Sequence, residues 1–276
     1  MRIRIVDAFA ERPFAGNPAG VLLLGSAGFP ADPWLRQVAA EVNLSETAFA
    51  HPLPPGGGAD WALRWFTPGA EVALCGHATL ATAHVLCSTG LAEGTVRFRT
   101  LSGVLAADAH ADGRITLDFP TSELTPLPVP EGAEEALGAA PVSVHATSER
   151  LGDLLVELAD ERTVRELTPD VGALRRLSER GVVVTAAAAR PDEGYAYVSR
   201  TFYPNIGLVE DPVTGSAHTA LAPFWSARLG RETLTGFQAS ARGGRVVTSL
   251  RGDRTLLTGT AVTVIDGELL AGPPAG

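Results

Sequence analysis

Arg64-Trp65-Phe66-Thr67-Pro68 returns later in the chain as Arg200-Thr201-Phe202-Tyr203-Pro204. Just downstream, Glu71-Val72-Ala73-Leu74-Cys75-Gly76-His77-Ala78 is matched by Glu210-Asp211-Pro212-Val213-Thr214-Gly215-Ser216-Ala217. The copies share Arg, Phe, Pro, Glu, Gly and Ala in one order, about half a chain apart. A short period would mean a solenoid, whereas a single recurrence at half length points to a duplicated domain. Each copy reads as strand, Pro-containing loop, Glu, Cys or Thr, Gly, then an Ala-containing helix. Strand–loop–Gly–helix units are common, so chance is the competing reading; six identities in register count against it.

The repeated unit has a physical meaning of its own. A glycine at a helix start leaves backbone N–H groups at the positive end of the helix dipole. Such an end suits a carboxylate or a developing enolate oxygen. Neither loop has the Gly-x4-Gly-Lys pattern of a nucleotide-binding loop, and no Gly-x-Gly-x-x-Gly follows a strand, so phosphate cradling is a weak reading.

Working outward, residues 2–9 alternate and are rich in Ile and Val, as a strand should be. They read as a strand rather than as the apolar region of a signal peptide. Residues 11–20 hold two prolines and two glycines and form a loop, and 20–24 a short buried-type strand. Asp32-Pro33 opens a helix whose face carries Trp34, Val38, Ala39 and Val42 and which ends near Asn43. Strands follow at 46–50 and 61–66, and an apolar helix at 76–88. The stretches 98–108 and 114–119 read as a hairpin around Asp112-Gly113. The Pro/Glu-rich segment 120–132 is the best candidate for a linker. Beyond it come strands at 142–146 and 153–158, a helix at 170–180, strands at 182–186 and 195–202, and a second buried helix at about 215–229. Strands at 245–251, 254–258 and 261–265 close the chain, and residues 271–276 read as a frayed tail.

With 276 residues there is room for two domains, and the Pro/Glu-rich segment puts their boundary near residue 120. A net charge of −9 without a basic cluster argues against nucleic acid. No apolar run is long enough to cross a membrane as a helix. Two cysteines, Cys75 and Cys87, are too few for a disulfide framework, so the cytoplasm is the expected compartment. His51, His84, His110, His145 and His218 show no metal spacing, and no metal site is expected.

Val6-Asp7-Ala8-Phe9, Pro13-Phe14-Ala15-Gly16-Asn17-Pro18-Ala19-Gly20-Val21, Ser45-Glu46-Thr47-Ala48-Phe49, Cys75-Gly76-His77-Ala78-Thr79 and Glu210 to Ala217 occur in the order found in the PhzF family. Over nearly its whole length the chain resembles that family, the phenazine-biosynthesis isomerase and its relatives. The resemblance implies an α+β fold of the diaminopimelate epimerase type. Each of two similar domains would be a curved mixed sheet or barrel around a central helix, with the active site in the interdomain cleft; with the last strand returning to the first domain, they would span 1–120 plus about 262–276 and 121–261. It implies a proton-shifting isomerase that needs no cofactor, acts on a small carboxylate-bearing substrate and forms a homodimer. By the same resemblance Glu46 is the catalytic acid/base, supported by His77 and Asp211, while Gly76, Gly215, Ser216 and Ala217 bind substrate oxygens.

Each residue also has a plainer role open to it. Glu46 follows a helix end, where a carboxylate is ordinarily a solvated turn residue. His77 in the first turn of a helix is either a neutral hydrogen-bonding imidazole or a donor to a developing enol. Asp211 is a helix-cap or loop residue, or else accepts from His77 or from a substrate amine. Ser216 caps the helix or holds a carboxylate, and Asn17 is structural or substrate-binding. Amino-acid epimerases of this fold oppose two thiols; here Cys75 keeps the first position, but its repeat partner is Thr214. That breaks the two-base scheme and leaves Cys75 as a small packed residue, two positions from His77 in poor geometry for a nucleophile–base pair. Cys87, on the apolar helix, reads as packed too. The alternatives are a one-thiol amino-acid racemase or a metabolite-binding protein of the same fold that has lost catalysis.

Overall fold

The computed structural model describes residues 1–25 and 28–273; of the expected frayed tail, residues 274–276 lie outside the described residues. The chain forms two compact units, one of Met1–Asp118 with Thr258–Gly276 and one of Phe119–Leu257.

The first unit contains β1 (Arg2–Ala8), β2 (Asn17–Leu23), α1 (Asp32–Val42), β3 (Glu46–Pro52), β4 (Trp61–Phe66), β5 (Glu71–Val72), α2 (Gly76–Ser88), β6 (Thr95–Thr100) and β7 (Gly103–Ala109). β8 (Ile115–Pro120) begins in this unit, and the chain's last strand, Ala261–Glu268, returns to it. That last strand lies antiparallel to β1, and β1 to β2; β2 and β3 run parallel. β3 pairs antiparallel with β4, β4 parallel with β6, and β6–β7–β8 antiparallel. α2 is apolar almost all round, which fits a helix enclosed by its surroundings. It packs on β1, β2, β3, β7 and the last strand. α1 is amphipathic instead and lays Trp34, Leu35, Val38 and Ala39 against Leu22, Phe49 and Phe66. Asn43 stops it in the left-handed conformation, returning its N–H to the Ala39 carbonyl.

The second unit holds β9 (Leu124–Leu127), α3 (Ala133–Leu137), β10 (Ser143–Thr147), β11 (Asp153–Glu157), α4 (Glu161–Glu166), α5 (Val171–Leu177), β12 (Gly181–Ala187), β13 (Tyr197–Tyr203), β14 (Leu208–Asp211), α6 (Gly215–Leu229), β15 (Thr233–Gln238), β16 (Gly244–Arg251) and most of β17 (Arg254–Gly259). Its pairings follow the order of the first unit: antiparallel β9–β10–β11, parallel β11–β12, antiparallel β12–β13, parallel β13–β15 and antiparallel β15–β16. α6 is the counterpart of α2, buried among Leu155, Val183, Tyr197 and Leu234. The short helices α3, α4 and α5 cover a separate core that includes Leu137, Val164 and Leu174.

The sequence repeat is therefore a structural one. In the first copy Arg64 grips Glu71 with two bonds of 2.7 Å and lies 5.0 Å from the Phe66 ring centre. In the second, Arg200 grips Glu210 at 2.7 and 3.0 Å and lies 5.1 Å from the Phe202 ring. Arg and Phe two residues apart share a strand face, and the Glu ties the following short strand to them. The repeated Arg, Phe and Glu thus build a clamp that leads into each central helix.

Two expectations are corrected. Residues 98–108 are two strands, turning at Leu101-Ser102 with Gly103 at φ +98°. Residues 120–132 are more than a linker, because β9 within them pairs with β10. The β15 strand went unread altogether. Among the described residues no helix is long and apolar enough to cross a membrane.

Candidate active site

Parallel pairing of β2 with β3 puts their first residues, Asn17 and Glu46, at the same end of the sheet; Ala19 is the register partner of Glu46. The loop before Asn17 is tightly held. Buried Asp7 accepts a bond from the Phe14 N–H at 2.7 Å, and Phe9, Phe14 and Gly16 all have positive φ. A side chain at Gly16 would place its Cβ 2.1 Å from the Ala8 carbonyl oxygen, so only glycine completes this turn. The clamp on Glu71 leads into Cys75, which is extended (φ −147°, ψ 111°), and Gly76 then opens α2. His77 consequently sits in the first turn.

These elements bring Asn17, Glu46, Cys75 and His77 together. The Ser45 hydroxyl donates to Asn17 Oδ1 at 3.4 Å, which leaves the Asn17 amide nitrogen 3.3 Å from His77 Nδ1. An amide NH2 only donates, so Nδ1 accepts and the ring proton resides on Nε2; the assignment follows from the hydrogen-bond pattern. That nitrogen lies 3.3 Å from Glu46 Oε2. His77 is buried while the Glu46 side chain keeps 19% of its surface exposed, so the carboxylate is the member of the group a small molecule can reach. Cys75, the N-cap residue of α2, makes no side-chain capping bond. Cys75 needs a correction: its Sγ lies 3.6 Å from His77 Nδ1, in contact rather than merely packed. The extended backbone at the N-cap folds its side chain back over the first turn.

Asp211, Gly215, Ser216 and Ala217 belong to the second unit. Asp211 ends β14 and accepts from the Thr214 hydroxyl at 2.5 Å. Gln238 holds this corner, accepting from the Thr214 N–H at 2.8 Å and donating to the Asp211 carbonyl at 2.6 Å. Thr214, at the position of Cys75, thus serves as a donor to a carboxylate. Gly215 and Ala217 are buried in the first turn of α6, which likewise takes no side-chain cap. Fully buried His218 bonds the Thr214 carbonyl at 2.8 Å, and burial pushes it down to about 4, so it is neutral.

Sequence reasoning missed Gln238 and Arg180. Arg180 donates to Asp153 Oδ2 at 2.7 Å, reaches Ser216 Oγ at 3.4 Å and stacks 4.5 Å from the Tyr203 ring. Burial pushes the Asp153 carboxyl up to about 6, outweighing the opposing pull of Arg180 and Tyr203. Arg180 follows α5 in an ordinary-looking Ser-Glu-Arg-Gly stretch, and nothing in its sequence neighbourhood announces a place beside Ser216.

The family model described as Phenazine biosynthesis-like protein matches residues 6–267. An uncharacterised isomerase of Pseudomonas aeruginosa is 46% identical over 270 residues, covering 96% of each chain. A crystal structure of a PhzF-family phenazine biosynthesis protein from Enterococcus faecalis superposes with a TM-score of 0.89 at 41% identity, covering 98% of this chain and 99% of that one. A probable proline racemase from Agrobacterium radiobacter shares the fold, with a TM-score of 0.67 at 13% identity over 99% of this chain and 93% of that one.

Proposed function

Because the chain belongs to the phenazine biosynthesis-like protein family, we propose that it is an isomerase that moves a proton on a small carboxylate-bearing substrate, with Glu46 as its acid and base. The observation that carries this reading is the 3.3 Å approach of the proton-bearing nitrogen of buried His77 to the partly exposed Glu46 carboxylate. Glu46 takes a proton from a carbon next to a carboxylate or conjugated system, the double bond shifts, and Glu46, exposed enough to exchange its proton with solvent, delivers a proton to another carbon. One C–H bond breaks and one forms, so the step balances without oxidant or reductant. His77 orients the carboxylate through Nε2–H and receives its orientation from Asn17. The uncapped N–H groups at Gly76 stabilise developing negative charge; one good donor of this kind is worth about 2.7–4 kcal/mol. In the second unit Asp211 takes a positively polarised substrate group. Ser216, Arg180 and the backbone at Gly215 and Ala217 take a carboxylate.

Replacing Glu46 by Gln keeps the shape and removes the base. Turnover of an identified substrate should fall by about 10²- to 10⁴-fold with little change in KM; a variant as active as the parent ends this reading. The Cys75–His77 contact favours one competing account, a one-thiol racemase. Cys75→Ala separates the two: the proposal expects turnover within a few-fold of the parent, whereas a thiol base would be abolished.

A further inference from the structure

Proton transfer through Glu46 and His77 leaves one reactive group in the site without a task. The Cys75 sulfur, an imidazole nitrogen of His77 and a carboxylate oxygen of Glu46 all lie within 4.8 Å of one another. Thiolate, imidazole and carboxylate are the donors that Zn²⁺ takes, at about 2.0–2.3 Å; around a tetrahedral ion they stand roughly 3.3–3.8 Å apart. The Cys75 sulfur, 3.6 Å from His77 Nδ1, already has that spacing, whereas the Glu46 oxygen stands 3.3 Å from the other ring nitrogen, Nε2, and must swing to share an ion bound at Nδ1. Two of the three donors are fixed, since Cys75 is the N-cap of α2 and His77 sits in its first turn, both buried. The third is the exposed end of a flexible side chain and can close the remaining edge.

We propose that Cys75, His77 and Glu46 form a capture site for a thiophilic divalent cation of the zinc class, and that capture switches the enzyme off. The ion uses one imidazole nitrogen, so it displaces either the Asn17 or the Glu46 contact, and the ring tautomer follows. Cys75–SH gives its proton to solvent as the metal–sulfur bond forms, with no change of oxidation state. A thiolate donor selects against Mg²⁺ and Ca²⁺, which favour oxygen ligands. Capture stands independently of the catalytic reading. The inhibition rests on it, because the ion occupies the carboxylate assigned as the base.

The test uses the intact protein, free of any affinity tag. Co²⁺ is titrated in while the near-ultraviolet thiolate-to-cobalt charge-transfer band is recorded, and Zn²⁺ affinity is measured by calorimetry. One equivalent should raise the band, and excess Mg²⁺ should leave it unchanged. Cys75→Ser should abolish the band and weaken Zn²⁺ by at least the roughly 10- to 100-fold that losing an outer-shell partner costs. Glu46→Gln should weaken binding but keep the band, and Cys87→Ser, which alters the second cysteine, should change nothing. Circular dichroism without metal checks that each variant is folded. Absence of a band in the parent, or its persistence in folded Cys75→Ser, overturns the capture site and leaves the catalytic reading intact. Stoichiometric binding that leaves turnover unaffected keeps the site and overturns the inhibition together with the role of Glu46.

Discussion

Asn17, His77 and Glu46 stand in line, with the Asn17 amide 3.3 Å from His77 Nδ1 and His77 Nε2 3.3 Å from Glu46 Oε2. Asn17 sets the imidazole tautomer, and the tautomer puts an N–H beside the carboxylate. Glu46 and His77 were legible from motif context alone. Arg180 was not, because its importance comes from where β12 places the residue before it rather than from any pattern around it. Its proposed duty has a measurable signature. Arg180→Met, combined with Asp153→Asn so that no buried carboxylate loses its counter-charge, should raise KM for a carboxylate substrate by about 10-fold or more. A hydrogen bond to a charged group is worth about 1.5–3 kcal/mol. The turnover number should change far less, and the corresponding uncharged amide should be indifferent to the change. Equal effects on acid and amide would remove Arg180 from substrate recognition.

At the level of elements, the central helices were the most readable parts. α2 and α6 begin at Gly76 and Gly215 and run to Ser88 and Leu229, as the sequence predicts. β15 was unreadable because Gly236 interrupts its pattern. In the structure that glycine makes room for a ring: a Cβ there would lie 2.4 Å from Tyr197. A long-range packing demand thus overrides the local strand signal. The Arg64–Glu71 clamp immediately precedes the Cys75-Gly76-His77 corner. Arg64→Met should cost about 2 kcal/mol, because it strands a half-buried carboxylate. Turnover should fall further than that loss of stability alone explains. Chemical denaturation and kinetics on the same preparation decide this; a stable variant with full activity would show that the clamp does not position the site.

For the molecule as a whole, duplication was visible in six identities, and the strand pairings of the two units repeat it. Only half the charge logic was visible, since burial, which sequence does not report, decides it. His218 titrates at about 4 when folded against 6.5 as a free side chain. Between those values the unfolded chain binds a proton and the folded one does not, so this group removes about 3 kcal/mol of stability as pH falls from 6.5 to 4. Asp153 opposes it: its folded value of about 6 exceeds 3.8, so its contribution grows as pH falls through the same window. In His218→Gln this opposing slope is gone while that of Asp153 stays, and the second unit should gain stability between pH 7 and 5 relative to the parent's profile. Amide exchange across α6 at several pH values measures this, and superimposable profiles would contradict it.

The most direct test of the central claim is proton exchange with solvent. The protein is incubated in deuterated water with a panel of small unsaturated carboxylic acids, and carbon-bound deuterium is followed by NMR. Glu46 as base predicts isomerised product carrying solvent deuterium at the new C–H position with the parent and none above background with folded Glu46→Gln. Product formed without deuterium, or labelling undiminished in Glu46→Gln, would contradict it.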